Sequence, residues 1–232
     1  MEFKEPLQKA TLLRRYKRFL SDMLLPNGAT VVAHCANSGS MLGLTEPGSE
    51  VWLSPNTNPK AKLDWRWELV RTNGHLVGIN TAHPNRIVEA AIKDDEIAEL
   101  KGYENIRREV KYGVNSRIDL LLEHPDKEPC FVEVKNVTLK RKDHAEFPDA
   151  VTKRGEKHLR ELACMRADGS RALMFYLVQR SDCNSFKLAA DIDPTYAKTF
   201  FEARDVGVEA VCYACDISPT NIKIIRQIPI DC

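Results

Sequence analysis

The chain has 232 residues, of which 43% are hydrophobic and 29% are charged, and its formal net charge is +1. This composition excludes an intrinsically disordered chain. The near-zero charge gives no global argument for nucleic-acid binding, so any such argument must be local. No apolar run approaches the 18 or so residues of a membrane span, which predicts a chain with no membrane partner.

The seven cysteines are odd in number and irregularly spaced, and several stand within apolar runs. That usage predicts reduced thiols and a cytoplasmic protein. The one Cys-x-x-Cys motif, from Cys212 to Cys215, lies in a strand-like run, where residues three apart point to opposite faces. It therefore favours core packing over a zinc or redox site.

Residues 1–82 contain short strand-like runs separated by turn-forming clusters. The runs are Leu12–Leu20, Ala29–Cys35, Glu50–Ser54, Trp65–Thr72 and His75–Asn80. Asn73-Gly74 between the last two is a strong hairpin signal. Five such strands in this length predict a small closed β-barrel like the oligonucleotide-binding (OB) fold.

From residue 83 the pattern changes to helices alternating with strands. A first helix is predicted over 85–100, followed by three strands at Ile106–Tyr112, Arg117–Leu122 and Cys130–Val137. The remaining elements alternate: a helix at Thr152–Arg166, a strand at Arg171–Gln179, a helix at Pro194–Val206 and a strand at Val208–Ile217. This order predicts a second, α/β domain over 83–232 with a sheet at its centre.

Two neighbouring strands of this domain carry charged side chains. Asp119 lies on the second strand, and Glu133 and Lys135 lie on the third. Alternation along a strand places Glu133 and Lys135 on one face, about 7 Å apart, and the polar turn 123–129 brings Asp119 across from Glu133. Two converging carboxylates repel each other unless a cation lies between them. Asp119 and Glu133 are therefore the predicted ligands of Mg²⁺ or Mn²⁺.

Lys135 beside these carboxylates is suited to polarise a water molecule or to hold a phosphate oxygen. An Asp followed by Glu-x-Lys is an arrangement that serves metal-assisted phosphodiester hydrolysis. The alternative is a buried Glu133–Lys135 ion pair next to an edge-strand Asp119.

The helix–three strands–helix–strand order, with Asp119 on the second strand and Glu133-x-Lys135 on the third, resembles the PD-(D/E)xK nuclease fold. The resemblance implies an additional catalytic acid from the first helix, for which Glu89 is the candidate. Ile118 stands where that motif has proline. The literal Pro148-Asp149 follows Glu-x-Lys in the wrong chain order, and we do not predict it as a ligand.

Further motifs are spread along nearly the whole chain. They are Arg15–Phe19, His34–Met41, Asn58–Lys60, Trp67–Val70, Val77–Thr81, Val110–Gly113, Ser116–Leu122, Val132–Leu139, Phe147–Thr152, Arg154–Gly155 and Lys157–Leu159. Together they resemble the sugar fermentation stimulation protein A family. The resemblance implies an OB-like barrel joined to a nuclease-like domain, non-specific DNA binding, and a role in regulating maltose or sugar metabolism. No residue by itself demonstrates that role.

One basic segment interleaves cations with aromatic residues and is predicted to bind nucleic acid. Its members are Arg14, Arg15, Tyr16, Lys17 and Arg18. Cations for phosphates and a ring for base stacking are typical of a single-strand-binding groove. The alternative is a solvated edge strand whose charges deter aggregation.

A second basic set surrounds the predicted metal site. Its predicted nucleic-acid contacts are Lys140, Arg141, Lys153, Arg154 and Lys157. His158 is a candidate proton shuttle or phosphate donor, with a structural role as the alternative. For His34 and Cys35 we predict a structural role, because nothing near them supplies the base and oxyanion site of a cysteine nucleophile.

The sequence thus predicts a non-specific DNA-binding protein with a divalent-metal, nuclease-type site. The alternative is an active Mg²⁺- or Mn²⁺-dependent nuclease that acts on DNA or RNA. A sugar-metabolising enzyme is not indicated, because the chain has no glycine-rich nucleotide loop and no carbohydrate-site constellation. Whether the site is active, which nucleic acid is preferred, and whether the chain forms a homo-oligomer are left open by the sequence.

Overall fold

A computed structural model describes residues 1–231. Its first sheet consists of β1 (Gln8–Tyr16), β2 (Leu20–Leu24), β3 (Thr30–Cys35), β4 (Glu50–Pro55), β5 (Trp65–Thr72) and β6 (His75–Gly78). The strand order is β3-β2-β1-β4-β5-β6, and a parallel pairing of β3 with β5 closes the first five strands into a barrel. The predicted OB-like barrel is confirmed.

The strands of the barrel differ from the predicted ones in two respects. The predicted run Leu12–Leu20 is broken by a turn at Lys17 and Arg18, whose φ angles are +48° and +64°, and β2 follows as a separate strand. β6 pairs only with β5 in this sheet and lies outside the closed barrel, so β2 is the fifth barrel strand.

The second part of the chain has a central six-stranded sheet. Its helices and main strands are α1 (Pro84–Lys93), β7 (Asn105–Tyr112), β8 (Ser116–His124), β9 (Lys127–Val137), α2 (Lys153–Ala167), β12 (Arg171–Val178), α3 (Pro194–Asp205), β14 (Glu209–Ile217) and β15 (Ile222–Gln227). The order is β15-β14-β12-β9-β8-β7, with β9, β12 and β14 parallel. The predicted α/β architecture is confirmed.

Four strands of this part were not predicted. β10 (Leu139–Arg141), β11 (His144–Phe147) and β13 (Ser185–Leu188) form a separate small sheet, and β15 forms one edge of the large one. The first helix is also shorter than predicted. It ends at Lys93, and the following Asp95 has a φ of +55°, which no helix accommodates.

Two layers of helix sandwich the large sheet. α1 packs on one face, where Ile87 and Val88 meet Val132 and Val134. α2 and α3 pack on the other face, where Leu159, Leu162 and Phe200 join the opposite side of the same strands. Because β9 is covered on both faces, its polar residues are held in a low-dielectric interior unless they lie at the open end of the strand.

The alternation of side chains between the two faces of the sheet is interrupted in β7 and β8 at the same rung. On β7, Arg108 reaches α1 whereas Val110 packs on the α2 side. On β8, Ile118 packs on the α2 side whereas Leu120 packs on the α1 side. The break in alternation therefore falls at the rung of Glu109 and Asp119, and Glu109 has a φ of +52° there.

The barrel and the α/β part share a polar junction. The buried Glu68 of β5 accepts hydrogen bonds from Ser54 Oγ (2.6 Å) and Asn80 Nδ2 (2.8 Å) and lies 2.7 Å from His83 Nε2, directly before α1. Gly78 N of β6 donates to Gln179 O at 3.0 Å, immediately after β12. The two parts are thus joined by backbone as well as side-chain bonds.

The first residues of the chain lie beside β15. Phe3 N donates to Thr220 O at 3.0 Å, and Ile222 N donates to Met1 O at 2.9 Å. Among residues 1–231, no helix has the length and apolar character that a membrane span requires.

Candidate metal centre and nucleic-acid interface

Asp119 replaces a rung of the β8–β9 ladder. The antiparallel pairing runs through Leu120 and Val132 and then stops. Beyond it, Asp119 Oδ2 accepts the hydrogen bond of Val134 N at 2.8 Å, and Oδ1 accepts one from Asn85 Nδ2 at 2.8 Å. The side chain is therefore fixed at the point where the two strands separate, between the start of α1 and the middle of β9.

Glu133 is 2% exposed, and its two carboxylate oxygens have different surroundings. Oε1 accepts a hydrogen bond from Lys135 Nζ at 2.8 Å and is in direct contact with His158 Nδ1. Oε2 is buried and has no hydrogen-bond partner among residues 1–231. An unpaired buried carboxylate oxygen is costly, so this atom is suited to a cation ligand.

The pKa values of the two carboxyl groups are shifted in opposite directions. Burial and the neighbouring Glu133 raise the pKa of Asp119 to about 6, although Val134 N and Asn85 counteract this. Burial also acts against ionised Glu133, but Lys135 and His158 outweigh it and hold the pKa of Glu133 below its usual value. When both groups are ionised they repel each other, and a divalent cation between them would relieve this repulsion.

His158 is fixed from both sides of its ring. Arg154 Nε, which can only donate, lies 3.3 Å from His158 Nε2. This contact makes Nε2 the acceptor and assigns the ring proton to Nδ1, which faces Glu133 Oε1. His158 is 4% exposed, so it holds the carboxylate from inside the protein. The prediction that His158 is near the site agrees with this placement, and its role stays a prediction.

The residues fit a divalent cation that completes its shell with water or phosphate. No cluster of three or more His, Cys, Asp or Glu side chains with metal-binding geometry occurs in the described part of the chain. Mg²⁺, however, is commonly held by one or two carboxylates together with substrate phosphates and water. Asp119 and the free Oε2 of Glu133 supply such a pair, and the cation is hard enough to prefer these oxygens.

Glu89 does not contact Asp119 or Glu133. Its carboxylate pairs with Lys93, at 2.7 Å from Nζ, and with Arg108 of β7. The helix residue that does reach Asp119 is Asn85, one turn earlier, which is not among the residues predicted from the sequence. Its position directly after Pro84, at the start of α1, is the signal that would have placed it beside the strand ends. The assignment of Glu89 as a catalytic acid stays a prediction.

In the basic segment of the barrel, intramolecular partners occupy the first three residues. Arg14 Nε lies 2.7 Å from Asp22 Oδ2, and Tyr16 OH donates to Asp22 Oδ1 at 3.0 Å. Arg15 donates to four backbone carbonyls, those of Arg18, Asn37, Gly39 and Ser40, at 2.8–3.3 Å. Lys17 and Arg18 are exposed in the turn, and within residues 1–231 their side chains have no hydrogen-bond partner.

The second basic set also contains both paired and unpaired side chains. Lys140 pairs with Asp182 at 2.8 Å, and Arg141 pairs with Glu146 and Asp191. Lys157 Nζ donates to Val114 O at 2.8 Å. Lys153, by contrast, is exposed at the start of α2 and has no partner in the described chain, and Arg154 faces His158.

Cys35, His34 and the Cys212–Cys215 pair are packed against other residues, and their structural role stays a prediction. Cys35 is fully buried, and burial raises the pKa of its thiol, which disfavours a nucleophile. Phe19 stacks on the ring of His34 at 6.4 Å between centroids. Cys212 and Cys215 are buried in the cores on opposite faces of the sheet, as the alternation along a strand predicts.

Asp149, in the literal Pro-Asp pair, connects the two parts of the protein. Its Oδ2 accepts from Met41 N at 2.9 Å, and its carbonyl accepts from Ser40 Oγ at 2.6 Å. Asp149 thus bonds to the same loop, residues 37–41, to which Arg15 donates. This contact lies next to Thr152, whose side chain caps the start of α2. That Asp149 is not a metal ligand stays a prediction.

The comparisons with known proteins follow the same division of the chain. Residues 13–79 match the model described as the SfsA N-terminal OB domain, and residues 82–221 match the sugar fermentation stimulation protein RE domain. The chain belongs to the sugar fermentation stimulation protein family.

Relatives of this family cover the chain from end to end. A sugar fermentation stimulation protein homolog of Paramagnetospirillum magneticum is 59% identical over 100% of this chain and 98% of its own length. One of Rhodospirillum centenum is 58% identical over 98% of both chains. The structure of Pyrococcus furiosus SfsA in complex with Ca²⁺ has a TM-score of 0.91 at 26% identity and covers 100% of this chain and 98% of that one.

Proposed function

We propose that this protein binds DNA non-specifically and that Asp119 and Glu133 hold a divalent cation against the DNA backbone. The observation that carries the proposal is Glu133: it is buried, one oxygen is fixed by Lys135 and His158, and the other has no hydrogen-bond partner in the described chain. Its charge is near enough to Asp119 to raise the pKa of that carboxyl. A structural ion pair would leave no such free oxygen in the protein interior. The Ca²⁺ in the Pyrococcus furiosus relative supports a divalent-cation site, and we expect Mg²⁺ or Mn²⁺ in this chain.

DNA rather than a sugar is the expected partner because basic side chains lie close to this centre, one of them, Lys153, without a partner in the described chain. Lys153, Arg154 and Lys157 follow one another on the first turns of α2, the helix that carries His158. An OB barrel beside the site supplies a fold that commonly binds oligonucleotides. The family name suggests regulation of sugar metabolism, which on this proposal acts through DNA. The free thiols of the described residues fit a reducing cytoplasm.

Fluorescence anisotropy with a labelled 20-nucleotide DNA, single- or double-stranded, tests the proposal. Adding Ca²⁺ is expected to strengthen binding by the unmodified protein and to leave Asp119→Asn unchanged. Asp126→Asn, which removes an exposed carboxylate in the turn after β8, is the matched control and should respond to Ca²⁺ like the unmodified protein. Equal responses of Asp119→Asn and the control would disprove the cation site, and no binding to either DNA would disprove DNA binding.

Hydrolysis is a second candidate function, favoured by the position of Lys135. Its Nζ lies 2.8 Å from Glu133, within reach of a phosphate or water bound at the same carboxylate. In such a reaction a water oxygen attacks phosphorus, the bond from phosphorus to the leaving oxygen breaks, the water gives up a proton and the leaving oxygen gains one. A bound divalent cation would supply Lewis acidity at the phosphate. Lys135 would orient the water and donate hydrogen bonds to the phosphate oxygen.

A cleavage assay with Mn²⁺ separates this candidate from binding alone. Lys135→Gln is expected to lower the cleavage rate about 100-fold, as removal of one electrostatic donor does elsewhere. Binding of DNA in Ca²⁺ should change far less. Cleavage that is equal in the unmodified protein, Lys135→Gln and Asp119→Asn would come from a contaminant.

A further inference from the structure

The end of the β7–β8 hairpin carries two cations that face each other without an acid between them. Lys111 and Arg117 are directly opposite in the antiparallel register. Both side chains are exposed, and within residues 1–231 neither has a carboxylate within 4.0 Å or a hydrogen-bond partner. Like charges at opposed positions of a sheet destabilise it, so such a pair is expected where an anion binds.

The orientation of these cations relates them to the metal centre. Tyr112 and Ile118 pack on the α2 side, so Lys111 and Arg117, their neighbours, point to the α1 side. Arg117 is two residues from Asp119, which corresponds to about 7 Å along a strand. Asp119 bonds to Asn85 of α1, so the cations and this carboxylate lie on the α1 side of the sheet. Glu133 points to the α2 side, where it contacts His158, and the centre therefore lies at the gap between β8 and β9 that both carboxylates border.

The space around the pair is open. A cavity of about 390 Å³ is lined by Lys111, Tyr112, Gly113, Asn115, Ser116 and Arg117. Tyr112 lines the same cavity and is only 8% exposed, and its buried hydroxyl has no hydrogen-bond partner among the described residues.

Most other basic residues near the centre are already paired. Arg141, Lys140 and Lys157 each bond to an acid or a carbonyl of the chain. Lys111 and Arg117 keep their full charge for a ligand. Arg117, about 7 Å along the strand from Asp119, is placed for a phosphate next to the one at Asp119. The rise of about 3.4 Å per nucleotide counts only the component along the helix axis, and neighbouring phosphates of one strand lie farther apart than that.

We propose that Lys111 and Arg117 form a phosphate-binding pair for the nucleic-acid strand that lies across the metal centre. The pair contacts phosphates that flank the one at Asp119 and Glu133, so the ligand is a polynucleotide longer than a mononucleotide. This inference rests on the proposed function, because it assigns the path of the strand at the same centre.

The test compares two double variants that lose the same charge. Lys111→Gln/Arg117→Gln removes the pair, and Lys198→Gln/Lys223→Gln removes two exposed cations on α3 and on β15, at the opposite edge of the sheet. Affinity for the labelled 20-nucleotide DNA is measured in Ca²⁺ over a salt series. The hairpin variant is expected to bind at least 10-fold more weakly, and its salt slope should fall by about 1.4–1.8, the value for two lost phosphate contacts.

The outcomes separate this inference from the proposed function. If the unmodified protein binds DNA and the two double variants bind it equally well, the phosphate pair is disproved and the proposed function stands. If the unmodified protein binds no DNA, both fail. Thermal unfolding is the control that detects a misfolded variant. Because two opposed cations repel, the hairpin variant should unfold at the same or a higher temperature than the unmodified protein.

Discussion

The carboxylate of Asp119 accepts the hydrogen bond of Val134 N at 2.8 Å, a bond that a neighbouring strand would otherwise receive. The side chain thus replaces backbone at the point where β8 and β9 separate. This replacement does two things at once. It satisfies a buried backbone donor, and it fixes a carboxylate next to Glu133, where mutual repulsion and burial make it costly to ionise.

The raised pKa of Asp119 predicts a specific pH dependence of stability. Because its pKa of about 6 in the folded protein exceeds the usual value of 3.8, the folded protein holds this proton more tightly than the unfolded chain. Stability from this group is therefore present at low pH and is lost as the pH rises through 6. In EDTA, the unmodified protein should lose about 1 kcal/mol more than Asp119→Asn between pH 5 and pH 7. Urea unfolding at both pH values measures it, and parallel curves would contradict it.

Arg15 is expected to contribute to stability through the loop that it holds. Replacing it with alanine removes the donors to the carbonyls of Asn37, Gly39 and Ser40, and should lower the free energy of unfolding by about 2 kcal/mol. Arg18→Ala, which removes an exposed cation with no side-chain partner, should change it by less than about 0.5 kcal/mol. Equal stabilities of the two variants in urea unfolding would show that the hydrogen bonds from Arg15 to this loop contribute nothing.

The network at Glu68 predicts a large effect from a small substitution. Ser54, Asn80 and His83 all place nitrogen or hydroxyl groups on this carboxylate. Glu68→Gln puts an amide donor opposite one of these groups and leaves a buried polar atom unpaired, which should cost about 2–3 kcal/mol. Glu46→Gln, at an exposed loop position, is the control and should be neutral. Thermal or urea unfolding reports both, and a neutral Glu68→Gln would refute the network.

The left-handed backbone of Glu109 predicts a stabilising substitution. Glycine adopts a φ of +52° without the steric cost that a β-carbon brings. Glu109→Gly should therefore raise the free energy of unfolding by about 0.5–1 kcal/mol, after allowance for the greater freedom of glycine in the unfolded chain. Glu109→Ala keeps the β-carbon and serves as the control. A gain in the alanine variant that equals the gain in the glycine variant would assign the effect to the lost charge instead.

Much of the fold follows from local sequence patterns. The apolar alternation of Cys130–Val137 and Trp65–Thr72 predicts strands that the structure contains as β9 and β5. The short strands of the small sheet could not be predicted, because Leu139–Arg141 is too short for a periodic pattern and is held only by pairing with β11. β15 depends in the same way on the long-range partner β14.

The candidate site shows the same limit. The chain order of Asp119, Glu133 and Lys135 is visible in the sequence, and strand alternation correctly puts Glu133 and Lys135 on one face. The partners that decide each charge come from distant segments: His158 for Glu133 lies 25 residues away, and Asn85 for Asp119 lies 34 away. Basic residues such as Lys140 resemble ligand contacts until the fold brings an acid, here Asp182, beside them.

The bonds of Met1 and Phe3 to the hairpin at 220–222 give the barrel an unusual place in the chain. Residues that precede β1 bond to the α/β part, so the chain contacts that part both before and after it forms the barrel. Cutting the chain after residue 82 would separate the α/β part from Met1 and Phe3, and so would remove the backbone bonds that they make to the turn before β15 and to the first residue of that strand.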